Sequence, residues 1–211
     1  MHRFHGLYGV TDSQLQPDDR ILIETVEQAL AGGMKVLQYR DKSLDAGKRL
    51  RQAGALKVLC HQHQALLIIN DDIELALDVE ADGVHLGQQD ESIALAREKL
   101  GDYAIIGVSC ENSLDKARIA TEQGASYIAF GKFFPSRTKP DAKSAELSII
   151  TEAKTQFDIP VVAIGGITVD NAPQVIAAGT DMVAVVNNLF AAQNIRERSE
   201  QFIRLFNKQP A

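Results

Sequence analysis

The chain has 211 residues, enough for one domain with a full hydrophobic core. Its 45% hydrophobic and 24% charged content is ordinary for a globular protein, and its apolar runs fall short of the roughly 20 residues that a membrane helix needs. A net charge of -6 with no basic block argues against a nucleic-acid partner, but leaves room for a small anionic substrate held by local cations.

The first residues, Met1 to Gly6, lack the apolar stretch of a signal peptide. Cys60 and Cys110 lie far apart with no CxxC spacing, so the expectation is two reduced thiols packed in the core of a cytoplasmic protein. His61 and His63 are two apart, a poor spacing for a helical metal pair, and read as surface residues.

In chain order, Leu7 to Val10 reads as a first strand and Ile21 to Leu30 as a helix. The small-residue turn Ala31-Gly32-Gly33 then leads into an apolar run that continues through Gln38 and Tyr39. Leu66 to Ile69 is the next strand, and Ala81-Asp82-Gly83 leads into Val84-His85-Leu86. Ala104 to Val108 follows, with Gly124-Ala125-Ser126 leading into Tyr127 to Phe130. Pro160 to Ile164, a helical pattern over Pro173 to Ala178, and Gly179-Thr180-Asp181 before Met182 to Val186 complete the series.

This is a βαβα unit repeated four times, with eight strands and about eight helices. The strands are continuous apolar runs, as expected when both faces of a parallel sheet are covered. The pattern predicts an α/β fold, a single-domain (β/α)8 TIM barrel over residues 1–211, with an open doubly wound sheet as the alternative. Either architecture puts the ligand site at the C-terminal ends of the strands.

Inspection of those ends gives the candidate residues. After strand 2, alternation places Gln38, Arg40 and Lys42 on one side. One amide and two cations suit a phosphate, although a solvated strand end paired with Asp41 has the same composition. Asn70 and Asp71 follow strand 3, and Asp90 follows strand 4. Two carboxylates with phosphate oxygens and water suit Mg²⁺, a hard ion that rarely has an all-protein cage. Taken singly, each acid reads first as a helix cap. Asp72 is the more evident cap, and Asp90 could act likewise near Ser92. The presence of Arg40 and Lys42 shifts the balance for Asp71 and Asp90 towards a metal site.

Ser109 follows strand 5 and could bond a phosphate or a ring, or simply cap a turn. The loop over residues 132–142 carries Lys132, Ser136, Arg137, Thr138 and Lys139 between Pro135 and Pro140, a composition suited to closing over phosphates. Gly165-Gly166 after strand 7 and Val186-Asn187-Asn188 after strand 8 complete a second anion region. The residues alone therefore point to a barrel enzyme that joins or cleaves phosphorylated small molecules.

The same segments, in order, resemble thiamine phosphate synthase over nearly the whole chain. They are Tyr8-Gly9-Val10-Thr11-Asp12, Gln38-Tyr39-Arg40-Asp41-Lys42, Ile69-Asn70-Asp71, Gly83 to Asp90, Gly107-Val108-Ser109, Pro135 to Pro140, and Ala163 to Thr168. The resemblance implies a (β/α)8 barrel that couples 4-amino-5-hydroxymethyl-2-methylpyrimidine diphosphate with hydroxyethylthiazole phosphate, giving thiamine phosphate and diphosphate. It implies that Gln38, Arg40, Lys42, Asn70, Ser109 and Lys139 hold the pyrimidine diphosphate, and that Asp71 and Asp90 hold Mg²⁺. It further implies that Ser136, Arg137, Thr138, Gly166, Val186 and Asn187 line the thiazole phosphate region. One position departs from the pattern: Asn187 stands where the family usually has Ser. The competing readings are a thiazole tautomerase-like barrel and a non-catalytic phosphate-ligand sensor, neither of which needs the two acids. The sequence says nothing of oligomeric state.

Overall fold

A computed structural model describes residues 4–88, 90–135 and 144–207. Eight strands alternate with helices: β1 (Gly6–Val10), α1 (Asp19–Ala31), β2 (Val36–Tyr39), α2 (Ala46–Gln62), β3 (Leu66–Asn70), α3 (Ile73–Asp78), β4 (Gly83–Leu86) and α4 (Ile93–Leu100) form the first half. The second half is β5 (Ile105–Glu111), α5 (Leu114–Glu122), β6 (Tyr127–Phe130), α6 (Ser148–Gln156), β7 (Val161–Ile164), α7 (Ala172–Ala177), β8 (Met182–Val185), α8 (Asn187–Phe190) and α9 (Ile195–Asn207). All neighbouring strands pair in parallel, and β1 pairs with β8 to close the barrel. The open-sheet alternative is thereby excluded.

Strand alternation sorts the side chains into two cores. Inward positions include Tyr8, Val10, Val36, Leu66, Ile68, Ile105, Tyr127, Ala129, Val162, Met182 and Ala184. Outward positions such as Leu37, Leu67, Ile69, Val84, Ile106, Ile128 and Val183 pack under the helices. Both faces of each strand are covered, which is why the strands read as unbroken apolar runs. Each such buried Val, Leu or Ile contributes roughly 1.5–3 kcal/mol relative to exposure.

The helices start where side-chain oxygens can take the free backbone N–H groups. Asp18, Asp45, Asp72, Ser92 and Ser113 cap α1 to α5 in this way. Asp72 is therefore a cap, as expected, and Ser92 rather than Asp90 caps α4. Two sequence boundaries move. Asn70 is the last residue of β3, and Ser109 lies inside β5, which runs on to Glu111. The added helix is α8, one turn that begins at Asn187 directly after β8. Among the described residues no helix is long and apolar enough to cross a membrane.

The last helix, α9, is strongly one-sided. Ile195, Ser199, Phe202 and Phe206 face inward, and the Ser199 hydroxyl donates to the Ala29 carbonyl of α1 at 2.8 Å. Cys60 and Cys110 are free and buried, and burial pushes both thiols up to about 12. They are inert packing groups at neutral pH. His61 is exposed and His63 is half-buried.

Close strand contact makes one glycine indispensable. A Cβ at Gly83 would lie 1.8 Å from the Ile105 carbonyl oxygen, and that atom is backbone that cannot step aside. Gly83→Ala is expected to lower the unfolding free energy by about 3 kcal/mol, measured by chemical denaturation.

Candidate active site

The C-terminal rim of the barrel opens into a cavity of about 880 Å³. Its floor includes Tyr8, Ala129, Val162 and Ala184, inward residues of β1, β6, β7 and β8. Its wall includes Gln38 and Arg40 from β2 and its end, Asn70 from β3, His85 from β4 and Ser109 from β5. Gly166, Val186 and Asn187 complete the opposite side. Seven of the predicted site residues therefore line one space. Ser136, Arg137, Thr138 and Lys139 lie outside the described residues.

Lys42, Asp71 and Asp90 stand on the rim beside this cavity. Asp71 accepts from Lys42 Nζ and from Asn70 Nδ2, the latter at 2.6 Å, so it is tied directly to the cavity wall. Asp90 accepts from the Gly87 backbone N–H at 2.6 Å, and Gly87 lines the cavity. Asp41 pairs with Lys48 at 2.9 Å, so it does not neutralise Lys42. Arg40 is anchored through its backbone: its N–H donates to the Thr11 hydroxyl at 2.7 Å.

The two carboxyls are neighbours and shift in opposite directions. Burial pulls Asp71 up, but its hydrogen bonds to Lys42 and Asp90 outweigh that and hold it below the ordinary carboxylate range. Asp90 is raised, first by burial and then by the neighbouring Asp71. Lys42 beside Asp71 favours the charged form of Asp71, whereas Asp90 stays protonated to higher pH than Asp71. Asp71 also takes a left-handed backbone conformation (φ 64°), which Asp tolerates better than most residues. This turn places its carboxyl beside Asp90 rather than in a helix cap.

Gly166 has a packing reason as well. Its φ is 65°, and a Cβ there would lie 2.3 Å from the Pro135 carbonyl oxygen. The loops after β6 and β7 cross at this point, so only glycine fits.

Beneath the wall runs a hydrogen-bonded chain that the sequence reading did not find. Gln38 Nε2 donates to the Tyr8 hydroxyl at 2.8 Å, and the Tyr8 and Tyr127 hydroxyls are 2.8 Å apart. The Tyr127 hydroxyl meets His85 Nδ1 at 3.0 Å, and His85 Nε2 meets the Ser109 hydroxyl at 2.9 Å. Burial pushes both tyrosines above their ordinary pKa, so both hydroxyls keep their protons. The rings of His85 and Tyr127 stack at 5.6 Å with an interplanar angle of 24°. The available signal was polar residues at inward strand positions: Tyr8 is two before Val10, and His85 interrupts an apolar run. Gly107 makes space for the Tyr127 ring, because a Cβ there would lie 2.0 Å from it.

A parallel barrel with cations, acids and amides gathered over its strand ends defines a (β/α)8-barrel enzyme. The Thiamine monophosphate synthase family model matches residues 7–189. The thiamine-phosphate synthase of Alcanivorax borkumensis is 52% identical over 190 residues, covering 90% of this chain and 87% of the relative. That of Saccharophagus degradans is 50% identical over 204 residues, covering 97% and 94%. The solved thiamine phosphate pyrophosphorylase from Pyrococcus furiosus superposes with a TM-score of 0.88 at 34% identity, covering 98% of each chain. The chain belongs to the thiamine monophosphate synthase family, and its reaction is thiamine phosphate synthesis.

The buried chain also supports the fold, because each polar group in it depends on its neighbours. Tyr8→Phe would leave Gln38 Nε2 and the Tyr127 hydroxyl each short of a partner. The expected loss is about 1–3 kcal/mol of unfolding free energy, measured by urea denaturation.

Proposed function

We propose that Gln38, Arg40, Lys42, Asn70 and Ser109, with Lys139, hold the diphosphate ester of 4-amino-5-hydroxymethyl-2-methylpyrimidine. Hydroxyethylthiazole phosphate then occupies the side built from Gly166, Val186 and Asn187, and Ser136, Arg137 and Thr138 are assigned to the same phosphate on the family resemblance. The observation that carries this reading is the meeting of Gln38, Arg40, Asn70 and Ser109 on one cavity wall, directly beside Lys42 and the Asp71–Asp90 pair. The proposed compartment is the cytoplasm.

The donor set fits a divalent cation. Two neighbouring carboxyls form an all-oxygen site, and when both are ionised the single Lys42 beside Asp71 leaves their charge incompletely balanced. No group of three or more His, Cys, Asp or Glu side chains gathers for a metal among the described residues. A two-carboxylate site completed by water and diphosphate oxygens is the arrangement that Mg²⁺ favours over an all-protein cage. Asp71 and Asp90 would hold it, and when bound it would offset negative charge growing on the departing diphosphate.

The chain's own residues perform the remaining work. Arg40 and Lys42 are cations at the rim, where they would stabilise charge developing on the leaving group. The bond between the pyrimidine methylene and the diphosphate oxygen breaks, and its electron pair leaves with diphosphate. The thiazole nitrogen lone pair then forms the new carbon–nitrogen bond. Neither step removes a proton, so no general base is required. The burial of both cysteines is consistent with that chemistry.

The direct test incubates the purified protein with both substrates and Mg²⁺ and reads thiamine phosphate by mass. Asp71→Ala is expected to lower turnover on the order of 10²-fold or more while the circular dichroism spectrum is retained. Full activity of that variant without a divalent ion would remove the metal assignment. Tight binding of the thiazole phosphate with no coupling by the wild type would favour a tautomerase or a ligand sensor.

Metal affinity should also depend on pH with a defined sign. Asp90 is raised, so below its pKa the carboxyl is neutral and Mg²⁺ must displace its proton. Affinity is therefore expected to fall as pH drops through that value and to level off above it. Calorimetry in buffers of different ionisation enthalpy should show proton release on binding in this window. Asp90→Asn should bind more weakly and lose the release.

A further inference from the structure

We infer that Asn171, which stands outside the cavity, is a positioning residue for the second phosphate: its side-chain amide holds the loop after β7 with two backbone N–H groups free for that anion. This inference rests on the proposal that hydroxyethylthiazole phosphate lies against Gly166.

Asn171 stands directly before α7, where a cap would, yet its side chain bonds no N–H group of that helix. Pro173 in the first turn has no N–H to offer it. The amide turns back instead into the loop after β7. Its Oδ1 accepts from the Thr168 N–H at 2.8 Å, and the Asn171 N–H donates to the Thr168 hydroxyl oxygen at 3.3 Å. This is the reciprocal bonding of a capping box, with Asn in place of the usual Glu or Gln. Its Nδ2 donates to the Gly166 carbonyl at 3.0 Å, a bond that a carboxylate cannot make. The partners fix which end of the amide is which, because the Thr168 N–H can only donate and the Gly166 carbonyl can only accept.

These bonds sort the loop backbone by polarity. The Gly165 carbonyl accepts from the Phe134 N–H at 3.0 Å, and the Gly166 carbonyl is taken by Asn171. The Gly166 and Ile167 N–H groups have no hydrogen-bond partner among the described residues. A trans peptide sets its N–H opposite its carbonyl, so drawing the Gly166 carbonyl to Asn171 turns the Ile167 N–H the other way. Both residues line the cavity. Ile167 is 4% exposed and its side chain packs in the core under the helices, so its backbone is what meets the cavity. Glycine at 165 and 166 (φ 99° and 65°) permits this turn but does not hold it. Without Asn171 the Gly166 carbonyl would be free to swing toward the cavity and repel a phosphate. The far end of the loop is pinned separately, by the Val169 N–H donating to Asn188 Oδ1 of α8 at 3.3 Å. Asn171 thus acts on the substrate through the Gly166 and Ile167 backbone.

Thiamine phosphate and thiamine differ only in the phosphate, so their affinities isolate it. By calorimetry the wild type should bind thiamine phosphate about 10²-fold or more tighter than thiamine. Asn171→Ala should narrow that preference at least about tenfold, with thiamine affinity unchanged. Its KM for hydroxyethylthiazole phosphate should rise by a similar factor, while its KM for the pyrimidine diphosphate stays as in the wild type. Ser199→Ala removes a buried hydrogen bond between α9 and α1, and should leave the preference intact, which separates positioning from a general loss of stability. Should Asn171→Ala fail to fold, Asn171→Ser keeps a polar group there but is too short to reach the Gly166 carbonyl, and carries the same expectation. A folded variant with an unchanged preference, or one that loses both ligands alike, overturns the inference. A wild type that couples its substrates but binds thiamine phosphate no better than thiamine also overturns it, and leaves the functional reading standing. A wild type that forms no thiamine phosphate overturns the functional reading and the inference with it.

Discussion

The pairing of Gly6–Gly9 with Met182–Val185 joins the last strand to the first, and the site depends on that closure. A closed parallel barrel has one interior, and alternation sends every second side chain of all eight strands into it. The strands also end on one rim. Residues separated by much of the chain, such as Gln38, Asn70, Ser109 and Val186, are therefore brought around a single opening. Small interior residues keep the upper barrel hollow: Ala129 and Ala184 lie in the cavity floor, and Gly107 yields its space to Tyr127.

Closure has a second consequence for polar residues. A tyrosine or histidine buried in the barrel interior must find its partner there, because little of it meets water. Tyr8, Tyr127 and His85 solve this together, and the ends of their chain are the side chains that face the cavity. The hydrogen bonds that make the interior tolerable thus also hold Gln38 and Ser109 in place on the cavity wall. Packing and recognition share the same atoms.

Electrostatics at the rim oppose the average of the molecule. The net charge is -6, yet Arg40 and Lys42 sit over the strand ends beside a pair of acids that cannot both ionise freely. Lys42 favours the charged form of Asp71, while burial and the neighbouring Asp71 raise Asp90. When both acids ionise, the like-charge contact between them is one that a cation would relieve. This arrangement suits a site built around a leaving group that carries several negative charges.

The repeat of turns and apolar strands determined the barrel, because continuous apolar runs are what two covered faces demand. The same alternation placed Gln38 with Arg40, and Asp72 was legible as a cap because capping is local to one helix turn. Three features were decided only by tertiary structure. Ser92 took the cap of α4, which freed Asp90 to meet Asp71. Asn70 and Ser109 proved to be strand residues, and Asn187 opened an extra helical turn. The hydrogen-bonded chain from Gln38 to Ser109 was invisible, since Tyr8 and Tyr127 are 119 residues apart and no local pattern links them. Sequence periodicity reports which face a side chain occupies, whereas the partner it meets depends on how the sheet closes.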